Sequence, residues 1–276
     1  MQIPVRTLNN GVQVPMIGFG TWQLADPNVC YDAVTRALEA GYRSIDTAAM
    51  YHNEEAVGRA IKDSGIPREE LFITTKLARD DRSYDKALAA FDVSLEKLGL
   101  DYVDLYLIHW PGTEERFVPS WKAFGKIYEQ KRARAIGLSN FLQHHLQTLE
   151  AETGILPASD QLEFHPYLAQ SETEDYCKAH NILVEAWSPL MSGKEALGDA
   201  VIVNIAKRHG KSPAQVILRW HTQCGRRVIP RSVTPARIAE NLQIFDFSLS
   251  LDEIAALNAL CVKNVRTGPD PDTFLD

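Results

Sequence analysis

Residues 103–139 read VDLYLIHWPGTEERFVPSWKAFGKIYEQKRARAIGLS, and they contain a strand pattern, a helix pattern and a second strand pattern in succession. VDLYLIH (103–109) and ARAIGLS (133–139) are short and mostly apolar, as strands buried on both faces are. PSWKAFGKIYEQ (119–130) has the periodicity of a helix. A strand–helix–strand unit of this kind predicts two neighbouring parallel strands.

The same alternation recurs along the chain at a spacing of roughly 30 residues, typical of such units. Helix patterns lie between the strands, and several end in glycine, which is favoured after a last helical turn. The chain of 276 residues therefore predicts an α/β fold, a (β/α)8 TIM barrel in a single domain over 1–276, with a doubly wound open sheet as the alternative. The other strand candidates are 16–20, 42–46, 71–76, 159–163, 182–188 and 227–230.

Three segments are additional to the barrel pattern. Asn10-Gly11 between two alternating segments predicts an N-terminal β-hairpin. Two extra helices are expected around 199–209 and 251–260. The stretch 263–276 has no periodicity and contains two prolines, so we expect an irregular tail.

Composition argues against several classes of protein. The formal net charge of −7 gives no basic footprint for nucleic acid. No apolar run approaches the length of a membrane-spanning helix, and the N-terminus lacks the features of a signal peptide. The four cysteines are scattered and form no CxxC, so we expect buried thiols in a reducing, cytoplasmic compartment.

Some motifs are incomplete. Gly18-Phe-Gly20 resembles the start of a dinucleotide fingerprint, but Gln23 occupies the third glycine position. Adjacent His144 and His145 fit a solvated helix end better than a metal site, and we expect no metal. Glu163 and Glu185 are candidates for the carboxylate pair of a glycosidase, which is a minor alternative.

A cluster of ionisable residues is predicted at one rim of the barrel, because catalytic groups in barrels follow the carboxyl ends of strands. Asp46, Lys76 and His109 end three consecutive strands, and Tyr51 lies in the loop after Asp46. We expect Lys76 to lower the pKa of the Tyr51 phenol and Asp46 to pair with Lys76. Tyr51 and His109 could then protonate and polarise a carbonyl, provided that a cofactor supplies a hydride.

These residues belong to longer segments that resemble the aldo-keto reductase family over the whole chain. The segments are GYRSIDTAAMYHNEEAVG (41–58), LDYVDLYLIHWP (100–111), GLSNF (137–141) and IPRSVTPARIAEN (229–241). The pattern is closest to compact bacterial members such as the 2,5-diketo-gluconate reductases. The resemblance implies an oxidoreductase that reduces aldehydes and ketones with NADPH, with Asp46, Tyr51, Lys76 and His109 as its catalytic tetrad and Tyr51 as proton donor.

The resemblance also implies cofactor contacts. Ser139, Asn140 and Gln161 would hold the carboxamide, and Trp187 would stack on the nicotinamide ring. Further contacts are implied along the ribose for Gly20 and Thr21, at the pyrophosphate for Ser188, Pro189 and Leu190, at the 2′-phosphate for Arg231, Ser232 and Arg237, and at adenine for Glu240 and Asn241. Asp46 is implied as a cofactor contact as well as a catalytic residue.

The substrate pocket implied by the resemblance contains Trp22, Met50 and Trp110 together with Tyr51 and His109. Its substrate would be a small carbonyl compound, and the family favours a monomer. Three positions depart from the family pattern: Arg231 replaces a lysine, Asp160 replaces an asparagine, and Ala78 stands where an aromatic residue is common. A redox-sensing module without significant turnover is the alternative function.

Overall fold

The structure is a computed structural model that describes residues 3–193 and 195–274. It begins with the expected antiparallel hairpin of β1 (Val5–Thr7) and β2 (Gln13–Pro15). Val14 and Leu8 of the hairpin are buried against the barrel interior, where they contact a cluster that includes Phe72. The hairpin therefore closes one end of the barrel.

The predicted parallel barrel is confirmed. Neighbours in the sheet follow chain order, from the first barrel strand to the last. Backbone hydrogen bonds from Gly18 and Gly20 to the carbonyls of Val228 and Pro230 then join the first strand region to the last. The strands are β3 (Phe19–Gly20), β4 (Ser44–Asp46), β5 (Phe72–Leu77), β6 (Val103–Ile108), β7 (Ala133–Ser139), β8 (Ser159–Glu163), β9 (Leu183–Trp187) and β10 (Arg227–Val228).

Helices surround the sheet and pack their apolar faces on it, and both expected extra helices are present, over Ala200–His209 and Leu251–Ala259. Several helices end in a left-handed glycine, as the sequence predicts, for example Gly41 and Gly99. The helices are α1 (Pro27–Ala40), α2 (Glu54–Asp63), α3 (Tyr84–Leu98), α4 (Glu114–Glu129), α5 (Gln143–Thr153), α6 (Ser171–Ala179), α7 (Ala200–His209), α8 (Pro213–Gln223), α9 (Pro235–Leu242) and α10 (Leu251–Ala259).

Helix α4 differs from the sequence prediction, because it begins at Glu114 and contains Pro119 in its interior. Glu114 and Glu115 lie in its first turn, where acidic side chains interact favourably with the helix dipole. Phe117 and Val118 are buried. This burial offsets the loss of one helical hydrogen bond at the proline.

The glycines of the failed dinucleotide motif have structural roles. A Cβ at Gly18 would lie 2.7 Å from Nη2 of Arg227, and a Cβ at Gly20 would lie 3.1 Å from Ile229. Arg227 is fully buried, pairs with Glu185 and donates to the Ser44 hydroxyl at 2.5 Å. Gly18 therefore makes room for a buried ion pair at the seam of the barrel, and Glu185 is not a free carboxylate.

Two further observations concern membrane-spanning segments and cysteines. Within residues 3–193 and 195–274, no helix is both long and apolar enough to cross a membrane. The cysteines are free thiols; Cys30 and Cys177 are buried, whereas Cys224 and Cys261 are partly exposed, which corrects the expectation that all four are buried.

Candidate active site

Three neighbouring strands bring the predicted catalytic residues together. Asp46 ends β4, Lys76 lies near the end of β5, and His109 directly follows β6. Tyr51 ends a single turn of 3-10 helix, Ala49–Tyr51, that follows β4. Nζ of Lys76 lies 2.5 Å from Oδ1 of Asp46 and 3.4 Å from the Tyr51 hydroxyl.

The lysine at the centre of this cluster is charged. Burial alone would lower the pKa of Lys76, but the Asp46 carboxylate and the Tyr51 oxygen outweigh burial and raise it. The ammonium also donates to the Thr47 carbonyl at 3.0 Å, so each neighbour accepts a hydrogen bond from it. The site therefore holds one positive charge directly beside the phenol.

Lys76 acts on the Tyr51 phenol in the expected direction, but burial is the larger influence on its pKa. Burial raises the pKa of Tyr51 above its ordinary value, and the attraction of Lys76 opposes this rise without reversing it. The phenol is consequently protonated at neutral pH. Lys76 stabilises the phenolate once the proton has left.

His109 is a neutral side chain in this environment. Burial lowers its pKa well below the usual value, and the positive charges of Lys76 and Arg79 lower it further. Its ring meets the Tyr51 ring edge-on, with centroids 5.5 Å apart, and both line the same cavity. A neutral imidazole carries one N–H that can donate to an oxygen in the cavity.

Other residues of the segment 41–58 pack beneath the catalytic cluster. Asn53 donates to the carbonyls of Thr21 and Leu24 and accepts from the Thr47 hydroxyl. Glu54 accepts from Thr75 at 2.6 Å. A Cβ at Gly58 would lie 2.2 Å from a backbone oxygen of α3. Packing and hydrogen bonds beneath the site therefore explain which residue types stand at these positions of the segment.

Amide and hydroxyl groups from β7, β8 and β9 adjoin the tetrad. The Asn140 amide donates to the His109 carbonyl and to Ser139, and its oxygen accepts from the Trp187 indole at 2.8 Å. Ser139 donates to the carbonyl of Gln161. The Gln161 amide donates to Oδ2 of Asp46 at 2.8 Å. These hydrogen bonds fix the Trp187 ring and connect the predicted cofactor residues to the catalytic ones.

Thr21 differs from its implied role along the ribose. Its side chain is fully buried and donates to the Asp46 carbonyl at 3.0 Å. It does not line the cavity, so it holds the backbone of the tetrad instead of a ligand. Gly20, in contrast, does line the cavity.

A cavity of about 760 Å³ extends from Tyr51 to the rim near α9. This volume lies in the range typical of sites for small molecules and cofactors. Apart from Thr21 and the buried Lys76, each predicted catalytic, cofactor and substrate residue lines it. The lining residues from that prediction are Gly20, Trp22, Asp46, Met50, Tyr51, His109, Trp110, Ser139, Asn140, Gln161, Trp187, Ser188, Pro189, Leu190, Arg231, Ser232, Arg237, Glu240 and Asn241.

The rim of the cavity is cationic. Arg231 and Arg237 are exposed there, and Arg231 donates to the Gln23 side chain at 3.1 Å across the opening. Ser232 accepts from the amide of Thr234, which caps α9. Guanidinium groups beside a helix N-terminus favour a phosphate.

The irregular tail also lines the cavity, which the sequence analysis missed. Thr267, Gly268, Pro269 and Phe274 are part of the wall, and a Cβ at Gly268 would lie 2.5 Å from the Trp187 ring. The missed signals were Phe274, the aromatic residue in a polar tail, and Gly268 next to Pro269. Tail packing over the barrel depends on contacts between residues far apart in sequence.

Glu163, one of the two glycosidase candidates, anchors this tail. It accepts from the amide and hydroxyl of Thr267, both at 2.5 Å, from the Gly268 amide and from His165. Burial alone would raise its pKa, but these hydrogen bonds outweigh burial and lower it. Glu163 is an ionised structural residue.

The two adjacent histidines of α5 are not both solvated. His144 is exposed, but His145 is buried and its pKa is lowered to about 4, mainly by burial. Nε2 of His144 lies 3.1 Å from Oδ1 of Asp272 in the tail. Nδ1 of His145 accepts from the Leu142 amide. A metal-bound Nε2 requires the ring proton on Nδ1, so that hydrogen bond disfavours a metal here.

The cavity has polar groups at its Tyr51 end, the Trp187 ring in its wall and two arginines at its rim. These features fit a nicotinamide dinucleotide phosphate. Ser139, Asn140 and Gln161 present amide and hydroxyl groups at the end beside Tyr51. Ser188, with a positive φ of 50°, turns the chain after β9 so that Pro189 and Leu190 line the middle. The rim supplies the cations that the 2′-phosphate requires.

Comparison with known proteins agrees with this geometry. The profile of the "Aldo/keto reductase family" matches residues 16–261. The chain is 52% identical to an aldo-keto reductase of Mycolicibacterium smegmatis over 98% of both proteins. It is 50% identical to a glyoxal reductase of Bacillus subtilis, over 97% of this chain and 96% of that protein. A Gox0644 mutant crystallised in complex with NADPH is 40% identical, with a TM-score of 0.94 and 99% coverage of both chains.

Proposed function

Because this chain belongs to the aldo/keto reductase family, we propose a specific division of labour in its cavity. The enzyme reduces carbonyl compounds with NADPH. In our proposal the carbonyl lies against Tyr51 and His109, and the cofactor occupies the cavity from Trp187 to Arg237. The observation that carries this proposal is the Asp46–Lys76–Tyr51 chain, with distances of 2.5 and 3.4 Å, at the bottom of the cavity.

The bound nicotinamide supplies the hydride that no side chain can provide. The Tyr51 hydroxyl transfers its proton to the carbonyl oxygen, so the carbonyl becomes an alcohol and Tyr51 becomes a phenolate. Lys76 stabilises that phenolate, and Asp46 keeps Lys76 charged and in place. His109 donates its N–H to the same carbonyl oxygen and polarises it.

The cofactor residues follow the cavity from floor to rim. Ser139, Asn140 and Gln161 bind the carboxamide, and the fixed Trp187 ring supports the nicotinamide face. Arg231, Ser232 and Arg237 bind the 2′-phosphate. Two further proposals are a cytoplasmic location, supported by the free cysteines, and a monomeric enzyme, which the family resemblance favours.

The test is steady-state oxidation of NADPH and NADH with a panel of carbonyl compounds. Glyoxal and methylglyoxal head the panel because a relative at 50% identity is named glyoxal reductase, and aromatic aldehydes and diketo sugar acids follow. Wild type should reduce several members faster with NADPH. Tyr51→Phe should bind NADPH normally and lose about 10²–10⁴-fold in kcat. A Tyr51→Phe enzyme within tenfold of wild type would remove Tyr51 as the proton donor.

A further inference from the structure

The Trp187 ring is held at two opposite edges. Its indole Nε1 donates to the Asn140 side chain at 2.8 Å, and its benzene edge packs directly on the backbone of Gly268 in the tail. Three atoms of the ring lie within 3.5 Å of the position that a Cβ at residue 268 would occupy, the closest at 2.5 Å. The backbone φ of Gly268 lies outside the left-handed region, so the ring, and not the chain conformation, requires glycine here.

Glu163 fixes the tail at the point where it meets this ring. Its Oε1 accepts from both the amide and the hydroxyl of Thr267, and its Oε2 accepts from the Gly268 amide at 3.2 Å. Two consecutive backbone amides of the tail therefore converge on one carboxylate. The donors around Glu163 lower its pKa, so it is ionised, and hydrogen bonds to an ionised acceptor are stronger than neutral ones.

A fourth donor and the sheet itself hold this carboxylate in place. Nδ1 of His165 accepts from the Tyr167 amide, so the imidazole carries its proton on Nε2, which donates to Oε1 of Glu163 at 3.1 Å. Glu163 also lies beside Trp187 in the sheet, as the register partner on β8 of the last residue of β9. Glu163 is only 1% exposed, so it influences the cavity through the residues that it holds.

We propose that Glu163 is a positioning residue for the nicotinamide, because it holds Gly268 against the Trp187 ring and so fixes the surface on which the nicotinamide lies. This inference rests on the proposed function, which places the nicotinamide on Trp187. A ring that is already fixed loses little conformational freedom when the ligand binds, and this increases affinity. The direction in which the nicotinamide faces the carbonyl depends on the same ring.

The test compares two ligands of different length. NADPH extends in our proposal from the rim to Trp187, whereas 2′,5′-ADP has the adenosine 2′-phosphate and no nicotinamide. Calorimetric titration gives both dissociation constants without using tryptophan fluorescence. Glu163→Gln should weaken NADPH by about 2–10-fold, the equivalent of ordering one mobile side chain, and leave 2′,5′-ADP unchanged. The single-turnover rate of NADPH oxidation should also fall, because the reacting groups are less well aligned.

Three further variants make the result specific. Trp187→Leu removes the ring, so it should weaken NADPH and spare 2′,5′-ADP. Adding Glu163→Gln to it should not change the ratio of the two dissociation constants further, because residues that act through one another are not additive. Gly268→Ala disturbs the ring from the side of the tail and should reproduce the Glu163→Gln effect. Glu253→Gln is the matched control and should alter neither ligand, since this buried carboxylate also accepts several hydrogen bonds but lies on α10.

The outcomes separate this inference from the proposed function. A selective loss of NADPH affinity in Trp187→Leu with none in Glu163→Gln would overturn the positioning role and leave the proposed function intact. The same conclusion follows if Glu163→Gln weakens both ligands equally, or if its effect persists in full without the Trp187 ring. If Trp187→Leu shows no selective loss, the nicotinamide does not lie on this ring, and its proposed position fails together with the inference. If Glu163→Gln does not fold, Gly268→Ala, alone and combined with Trp187→Leu, decides by the same criteria.

Discussion

The Gln161 amide donates to Oδ2 of Asp46 at 2.8 Å, while Oδ1 of the same carboxylate accepts from Lys76 at 2.5 Å. Gln161 lies on β8 and Asp46 on β4, so this bond crosses the top of the barrel. One amide thereby connects the residues proposed to face the nicotinamide to the ion pair that holds Lys76. We therefore expect a substitution of Gln161 to affect the Asp46–Lys76 pair.

Gln161→Met should destabilise the protein even without cofactor. The variant leaves Oδ2 of the buried Asp46 without its donor, and a buried acceptor that loses its partner costs about 1–3 kcal/mol. Urea denaturation of the cofactor-free protein measures the loss, and NADPH titration measures a separate loss of affinity. An unchanged unfolding free energy would show that the 2.8 Å bond makes no net contribution to stability.

Lys76→Met should cost more, because it leaves Asp46 buried and unpaired. Breaking one partner of a buried pair costs roughly 3–5 kcal/mol. The double variant Asp46→Asn/Lys76→Met should recover part of the stability and none of the activity. Lys211→Met is the matched control: its Asp246 partner is exposed, so we expect less than about 1 kcal/mol. Equal losses in the two single variants would contradict the assigned burial effect.

Arg237→Ala should weaken NADPH binding by about 10–100-fold, the equivalent of one charged hydrogen bond. NADH has no 2′-phosphate and should bind nearly as before, so it is the internal control. Quenching of tryptophan fluorescence gives both dissociation constants. An unchanged NADPH-to-NADH ratio would mean that Arg237 does not contact the phosphate.

The neutral state of His109 predicts a loss of stability in mild acid. Its folded pKa lies well below the ordinary value, so below about pH 6.5 the unfolded chain binds a proton that the folded chain does not. Stability is therefore retained above that pH and falls below it, by up to about 1.4 kcal/mol per pH unit for this residue. His109→Gln removes the effect. Between about pH 7 and about pH 5, the unfolding free energy of wild type should fall more than that of the variant. An equal fall in the two proteins would refute the prediction.

The barrel was predictable because its information is local. Short apolar segments bounded by helices, such as ARAIGLS (133–139), identify strands buried on both faces, and β7 covers the same residues. The helix boundary at Pro119 was wrong, since the burial of Phe117 and Val118 extends α4 toward its N-terminus. The helix propensity of the local sequence does not include the stabilisation that comes from burying these two side chains.

The site was predictable to the extent that strand ends determine it. Asp46, Lys76 and His109 follow from the barrel register, whereas the buried position of Thr21 does not. The lowering of the Tyr51 pKa by Lys76 was expected from the sequence, whereas the larger rise caused by burial was not, because only the folded structure shows that burial. The wall formed by Phe274 requires the path of a tail without periodicity.

The seam between the first and last barrel strands determines when this protein can fold. Ile17 bridges Val228, so the barrel cannot close until residues from opposite ends of the chain meet. Ribosomes extend a chain at about 5–20 residues per second, and parallel pairing between distant segments is slow because loop closure precedes any gain from the contact. The nascent chain therefore has unpaired strand edges until β10 has been synthesised, and such edges are sites where chains can aggregate.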